Sequence, residues 1–302
     1  MRDGILLIDK HPSCTSHDVV QDARRAVGQR KVGHCGTLDP TATGLLVLTL
    51  GKATRLTRFF IRAPKVYEGR IAFGAATDTY DSSGEVVSSS STAGLESATV
   101  EEAMHAFEGT YEQAAPPYSA KKVNGVKYYE LARRGEEVPE ALKEITVFEL
   151  RATGPIEEDH IPFRLSCSSG TYVRTLAHDL GNKLGCGAHL AELRRLQVGP
   201  FKIEDSITIA DLRSRGDEEK DLEAGWVAFD DIPLPFDEVA ADARQERRIT
   251  HGQTVLVRQM ESSEGDWIKL VNQRRQLIAV GTVIERIGSG RVGVIQPRIV
   301  LG

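Results

Sequence analysis

The 302-residue sequence has no apolar run approaching the roughly 18 residues that a membrane helix needs, so no membrane span is expected. Its start, MRDGILLIDK, carries an acid at Asp3, a very short apolar stretch and no cleavage signature, so it reads as a first strand and not as an export signal. The four cysteines (Cys14, Cys35, Cys167 and Cys186) form no CxxC pair. Free thiols and a cytoplasmic location follow as expectations. None of the eight histidines pairs with another His or a Cys at ligand spacing, so no metal site is expected. A phosphate loop is missing as well: six residues separate Gly44 from Gly51-Lys52, and Ala53 stands where the hydroxyl should be. The GxGxxG match at Gly288–Gly293 lies too close to the C-terminus for a helix and strand to follow, and reads as a turn between strands.

Nor is there an overall excess of positive charge; the net charge is −5. The basic residues are nevertheless grouped. Residues 1–60 carry nine Lys/Arg against five Asp/Glu, residues 118–134 five against one, residues 164–202 six against two and residues 241–302 ten against six. Four basic islands on an acidic background suit either a solvated mixed surface or a polyanion.

The chain is long enough for two domains. GILLID (4–9) and LLVLTL (45–50) are short apolar strands, the second buried on both faces. SHDVVQDARRAV (16–27) is an amphipathic helix that Ser16 can cap. YEGRIAFG (67–74) and FRLSCS (163–168) read as strands, 82–94 as a serine-rich loop and VEEAMHAFEG (100–109) as a helix. In TYVRTLAHDLGNKLG (171–185) a helical apolar face puts Tyr172 and Arg174 at the helix entry. APPYSAKKVNGVKYYELARRG (115–135) combines an Asn-Gly turn, three tyrosines and five Lys/Arg, and reads as a projecting basic arm whose second half can be helical. The acid-rich stretch 211–238, with Pro233 and Pro235, approaches a domain boundary. Beyond it a short helix (about 239–249) and four strand-like runs suggest a small, partly closed β-barrel.

Asp39 has two readings. Asp-Pro is a favoured helix start, with Asp39 as the cap. The apolar strand begins so soon after Pro40 that only one turn fits, and an acid in a Gly-rich loop at a strand entrance can instead meet a ligand. Arg174 near a helix N-terminus opposes the dipole unless an anion lies close.

Taken together, these motifs resemble one family. GHCGTLDPTATGLL looks like the central motif of the TruB type of tRNA pseudouridine synthase, and CSSGTYVRTLAHDLG like its arginine motif. The arm resembles the insertion of the bacterial members (about 77–145), GCGAHLAELRRLQVGPF the segment closing their catalytic domain, and the last 65 residues a PUA-type RNA-binding barrel. The resemblance implies an α+β fold: a pseudouridine-synthase catalytic domain (1–232) with a mixed, largely antiparallel central sheet flanked by helices, and a PUA-like β-barrel (233–302). It implies isomerisation of uridine at position 55 of the tRNA T-loop, without a cofactor, by a monomer that grips the T-arm. Asp39 becomes the catalytic aspartate. His34, Tyr67, Tyr172 and Leu193 surround the flipped base, Arg174 lies beside Asp39, and Lys10 supports the site. Lys121, Lys122 and Lys127 of the arm would bind RNA. Two departures stand out: the early motif, usually Lys-Pro-x-Gly-x-Thr-Ser, reads KHPSCTS here, and Cys35 replaces the more usual Thr or Gly.

Overall fold

The computed structural model describes residues 2–118, 122–123, 126–127, 142–214, 224–288 and 292–301, with backbone only at 122–123 and 126–127. The expected helical half of the arm and Lys121 lie outside these residues. Lys122 and Lys127 lie opposite each other in a two-stranded antiparallel pair that flanks the Asn-Gly dipeptide.

A mixed sheet forms the larger body, and its strands come from most of the chain. In sequence order these are β1 (Gly4–Lys10), β2 (Val32–His34), β3 (Thr43–Leu50) and β4 (Lys65–Phe73). The short β5 (Ala75–Thr77) and β6 (Val86–Ser89) form a separate pair. Next come β7 (Gly109–Ala114), the arm strands β8 (Lys122–Val123) and β9 (Val126–Lys127), β10 (Leu142–Ala152), β11 (His160–Cys167) and β12 (Ala188–Val198). The edge strands β13 (Phe201–Lys202), β14 (Ile207–Thr208) and β15 (Trp226–Ala228) complete it. The sheet path is β14-β1-β3-β12-β4-β11-β10-β7. Neighbours are antiparallel apart from β1 with β14 and β3 with β12. β3 is buried on both faces, as a continuous apolar run should be.

The helix at Ser16–Ala26 corrects one expectation. Thr15, not Ser16, is its cap, in a capping box with Asp18. Ser16 turns inward, and its hydroxyl exchanges two hydrogen bonds with the backbone of Leu38. The serine-rich loop is also corrected in part, because Val86–Ser89 pairs with β5. All four β6 residues are exposed, so they carry no apolar alternation to be read. The central β12 was not expected as a strand either. Charged residues and two register shifts, at Leu190/Glu192 and Arg195/Gln197, interrupt its alternation.

The C-terminal sheet contains β16 (Asp237–Ala240), β17 (Val255–Arg258), β18 (Trp267–Val271), β19 (Leu277–Ile287) and β20 (Val292–Val300), in the order β16-β18-β19-β20-β17. It is an open, curled half-barrel. The helix beside it is Ala243–Thr250, shorter at its start than the expected 239–249, because Val239 and Ala240 belong to β16, which pairs parallel with β18. The GxGxxG stretch starts just after β19 and its last two residues, Val292 and Gly293, belong to β20; the two strands pair antiparallel from Ile287 and Val292. Between the two sheets Phe59 packs edge to face on both Phe236 and Trp267, with ring centroids 5.0 Å apart in each pair.

Candidate active site

Asp39 does not cap a helix. Its carbonyl accepts from the Ala42 amide in a tight turn, and β3 starts at Thr43. The loop before β3 owes its shape to donors from distant parts of the chain. Arg195 donates to the carbonyls of Gly36 (3.1 Å), Thr37 (3.4 Å) and Leu45 (2.8 Å). Ser16 donates to the Leu38 carbonyl. Lys10 donates to those of Pro40 (3.2 Å), Ala42 (2.6 Å) and His11 (3.1 Å). The Ser13 amide also reaches Pro40. Ser13 has φ +65°, so the KHPSCTS variant of the early motif holds a left-handed residue without glycine.

The carboxylate of Asp39 meets Arg174, which enters from the first turn of the helix Val173–Leu184. Nε lies 2.9 Å from Oδ2, and Nη2 lies 3.5 Å from Oδ1. Two contacts from one planar guanidinium fix the direction of the carboxylate. Arg174 also donates to the carbonyls of Thr79 and Tyr118, both at 3.0 Å, and approaches Asp81 at 3.6 Å. The two carboxylates resolve the conflict between a cation and the helix N-terminus. Arg174 is buried while the Asp39 side chain is 40% exposed, so the acid faces solvent from a rigid mount.

What it faces is a cleft of about 590 Å³. His34, Asp39, Tyr67, Tyr172, Arg174 and Leu193 all line it. Six of the seven residues expected at the site thus share one cavity, although they come from β2, the loop before β3, β4, the helix entry and β12. Lys10 is absent from the lining and lies fully buried behind the loop. Burial lowers the proton affinity of His34, which favours a neutral imidazole, and its buried Nδ1 has no hydrogen-bond partner among the described residues. Burial raises the Tyr67 phenol above the usual tyrosine range, with nearby Arg195 acting in the opposite direction.

Residues that sequence reasoning missed also belong to this site. Arg195 and Lys65 line the cleft although each is at most 5% exposed, and Lys143 lines it too. Burial, assisted by Arg195, lowers Lys65 to about 8, and its ammonium caps the carbonyls of Ile61 (2.7 Å) and Ala63 (2.6 Å). Asp81, behind Arg174, is the fourth. Its neighbours Thr79, Ser82 and Ser83 advertise only a polar loop, and nothing local points to Arg174. One acid among several cations suits a polyanion with one reacting centre.

Known proteins resemble this chain along most of its length. A family model described as TruB family pseudouridylate synthase (N terminal domain) matches residues 24–173, and one described as tRNA pseudouridylate synthase B C-terminal domain matches residues 174–240. The tRNA pseudouridine synthase B of Solibacter usitatus (strain Ellin6076) is 40% identical over 283 residues, spanning 93% of this chain and 96% of that one. That of Geobacter sulfurreducens is 46% identical over 211 residues, 70% of this chain and 69% of that one. Among solved structures, a chain of a Cbf5-Nop10-Gar1 complex superposes with a TM-score of 0.76 at 26% identity, covering 100% of this chain and 85% of that chain. The chain therefore belongs to the TruB family of pseudouridylate synthases.

Proposed function

We propose that this protein isomerises uridine to pseudouridine at position 55 in the T-loop of tRNA, with Asp39 as the catalytic residue. The observation that carries the reading is the Asp39–Arg174 pair at the wall of a cleft that also presents Tyr67, Tyr172, His34 and Leu193.

The chemistry explains why such a cleft is needed. The base must leave its ribose bond, turn over and rejoin through C5, which a base stacked inside an RNA loop cannot do. Extrusion costs a few kcal/mol in lost stacking. An aromatic wall such as Tyr67 returns about 1–3 kcal/mol by stacking on the base. Leu193 and Tyr172 exclude water, and His34 offers a neutral ring. Asp39, oriented by Arg174, acts as nucleophile or base. Lys10 supports it from behind through the carbonyls of Pro40 and Ala42.

Affinity and register come from phosphate contacts made by the basic islands, and weaken as salt rises. In this reading residues 1–232 form the catalytic unit and 233–302 a PUA-like RNA-binding unit. The arm, with Lys121, Lys122 and Lys127, grips the T-arm. The protein works as a monomer in the cytoplasm. The likeness to a chain from a Cbf5-Nop10-Gar1 complex favours a second reading, in which partners are required.

One experiment separates the two. Naked tRNA transcript is incubated with this protein alone and pseudouridine is mapped. Conversion at position 55 supports the proposal, and conversion elsewhere contradicts the T-loop assignment. No conversion until partners are added supports the second reading.

A further inference from the structure

Arg195 is 1% exposed and is among the largest side chains buried in the core, yet it makes no ion pair with a carboxylate among the described residues. A buried cation without a counter-charge is costly, and an apolar side chain of similar volume would suit a core position better. Its retention calls for another account, and its contacts supply one. The guanidinium holds three carbonyls: Gly36 and Thr37, immediately before Leu38 and Asp39, and Leu45 at the start of the buried run of β3.

The backbone of Arg195 is fixed with equal care. It lies opposite Tyr67 across the β12–β4 ladder and opposite Gly44 across the short parallel β12–β3 contact. Gly44 has φ +97°, and a Cβ there would sit 2.3 Å from the Arg195 carbonyl oxygen, so only glycine allows the approach. A register shift follows between Arg195 and Gln197. One residue thus meets the strand carrying the cleft's tyrosine, the strand after the aspartate loop and the loop itself. Its guanidinium also lies near enough to Tyr67 to oppose the effect of burial on that phenol.

We propose that Arg195 is a positioning residue for the isomerisation, setting the distance between the Asp39 carboxylate and the Tyr67 ring by tying the loop carbonyls to the β12–β4 register. The inference rests on the catalytic reading of Asp39. Nε, Nη1 and Nη2 of Arg195 each serve a different carbonyl; lysine keeps the charge but puts one nitrogen in place of that rigid fork, so it cannot reproduce the three directions. Glutamine keeps a neutral amide donor and loses the charge. In either variant the loop keeps its Lys10 and Ser16 ties while losing its anchor to β12. The base is still bound, but the carboxylate and the ring are no longer held at the reacting distance.

The test compares Arg195→Lys, Arg195→Gln, Asp39→Asn and wild type by single-turnover pseudouridine formation on tRNA, by tRNA Kd, and by melting temperature. The expected result is that both Arg195 variants, folded at the assay temperature, bind tRNA within threefold of wild type and react about 100-fold more slowly, the scale of an ångström-sized misplacement. Lysine should recover part of the rate relative to glutamine. Folded variants that react within twofold of wild type overturn the proposal, whatever their melting temperatures. So does an Arg195→Lys protein that fails to fold, because a role confined to packing would then explain the residue. Inactive wild type, or active Asp39→Asn, would instead overturn the catalytic reading on which the inference rests.

Discussion

The aspartate loop and the C-terminal half-barrel are built on opposite principles. In the half-barrel the interior is apolar: Ile249, Ile268, Leu270, Ala279, Val283 and Ile295 pack together, and β20 alternates between core and surface. Around Asp39 the interior is polar. Lys10, Ser16, Arg174 and Arg195 are all buried there and hold backbone carbonyls or carboxylates contributed by distant segments. Apolar packing is non-directional and tolerates small shifts, whereas a hydrogen bond loses value steeply with distance and angle. In the catalytic reading, the difference separates a core that needs only to be stable from a loop that must hold a single atom in place.

The contrast can be broken from either side. The largest effect on rate, short of removing the acid, is expected from Arg174→Lys. It keeps the charge but gives up the two-point grip on Asp39, so pseudouridine formation should slow by about 10²–10³-fold; quench-flow on tRNA would measure it. Ile295→Ala, in the half-barrel core, should cost about 2–5 kcal/mol of stability in denaturant melts of that region. The rate on a T-arm minihelix below the transition should stay within a few-fold of wild type. Ser16→Ala leaves the Leu38 amide and carbonyl without their partner, at a cost of about 1–3 kcal/mol, and should slow the reaction about tenfold as the loop loosens.

The smallest effect concerns Asp179, on the helix that carries Arg174 but away from the cleft lining. Burial raises its carboxyl from 3.8 to about 6. The folded state therefore holds this proton more tightly than the unfolded chain does. Ionisation costs stability progressively between those two values, and the full penalty is present above about 6. Asp179→Asn should stabilise the protein by about 1–2 kcal/mol at pH 7–8. The gain should vanish as pH falls towards 4, which melting curves across pH would show.

The same contrast explains what was legible in the sequence. The half-barrel strands show in the sequence as short runs rich in Val, Ile and Leu, and the helix carrying Arg174 shows in its 3.6-residue stripe. Asp39, Tyr172 and Leu193 emerge from motif resemblance because each sits within a contiguous run, whereas Tyr67 lies outside those runs and enters only as what the resemblance implies. Arg195 did not emerge, although it lies two positions from Leu193. Its role comes from register with β3 and β4 and from carbonyls about 150 residues away, which no local pattern encodes. Ser16 misled for a related reason. At a helix start a serine is read as a cap, yet Thr15 takes that place and Ser16 is turned onto the loop.

The central claim is that this scaffold exists to present one carboxylate to one extruded uridine. Its most direct test is a time course of pseudouridine formation on a T-arm minihelix, with wild type and the nearly isosteric Asp39→Asn compared at equal bound RNA. Full conversion of the target uridine by wild type, with undiminished binding and no product from the variant, is the predicted result. Product from Asp39→Asn at a near-normal rate would contradict the account.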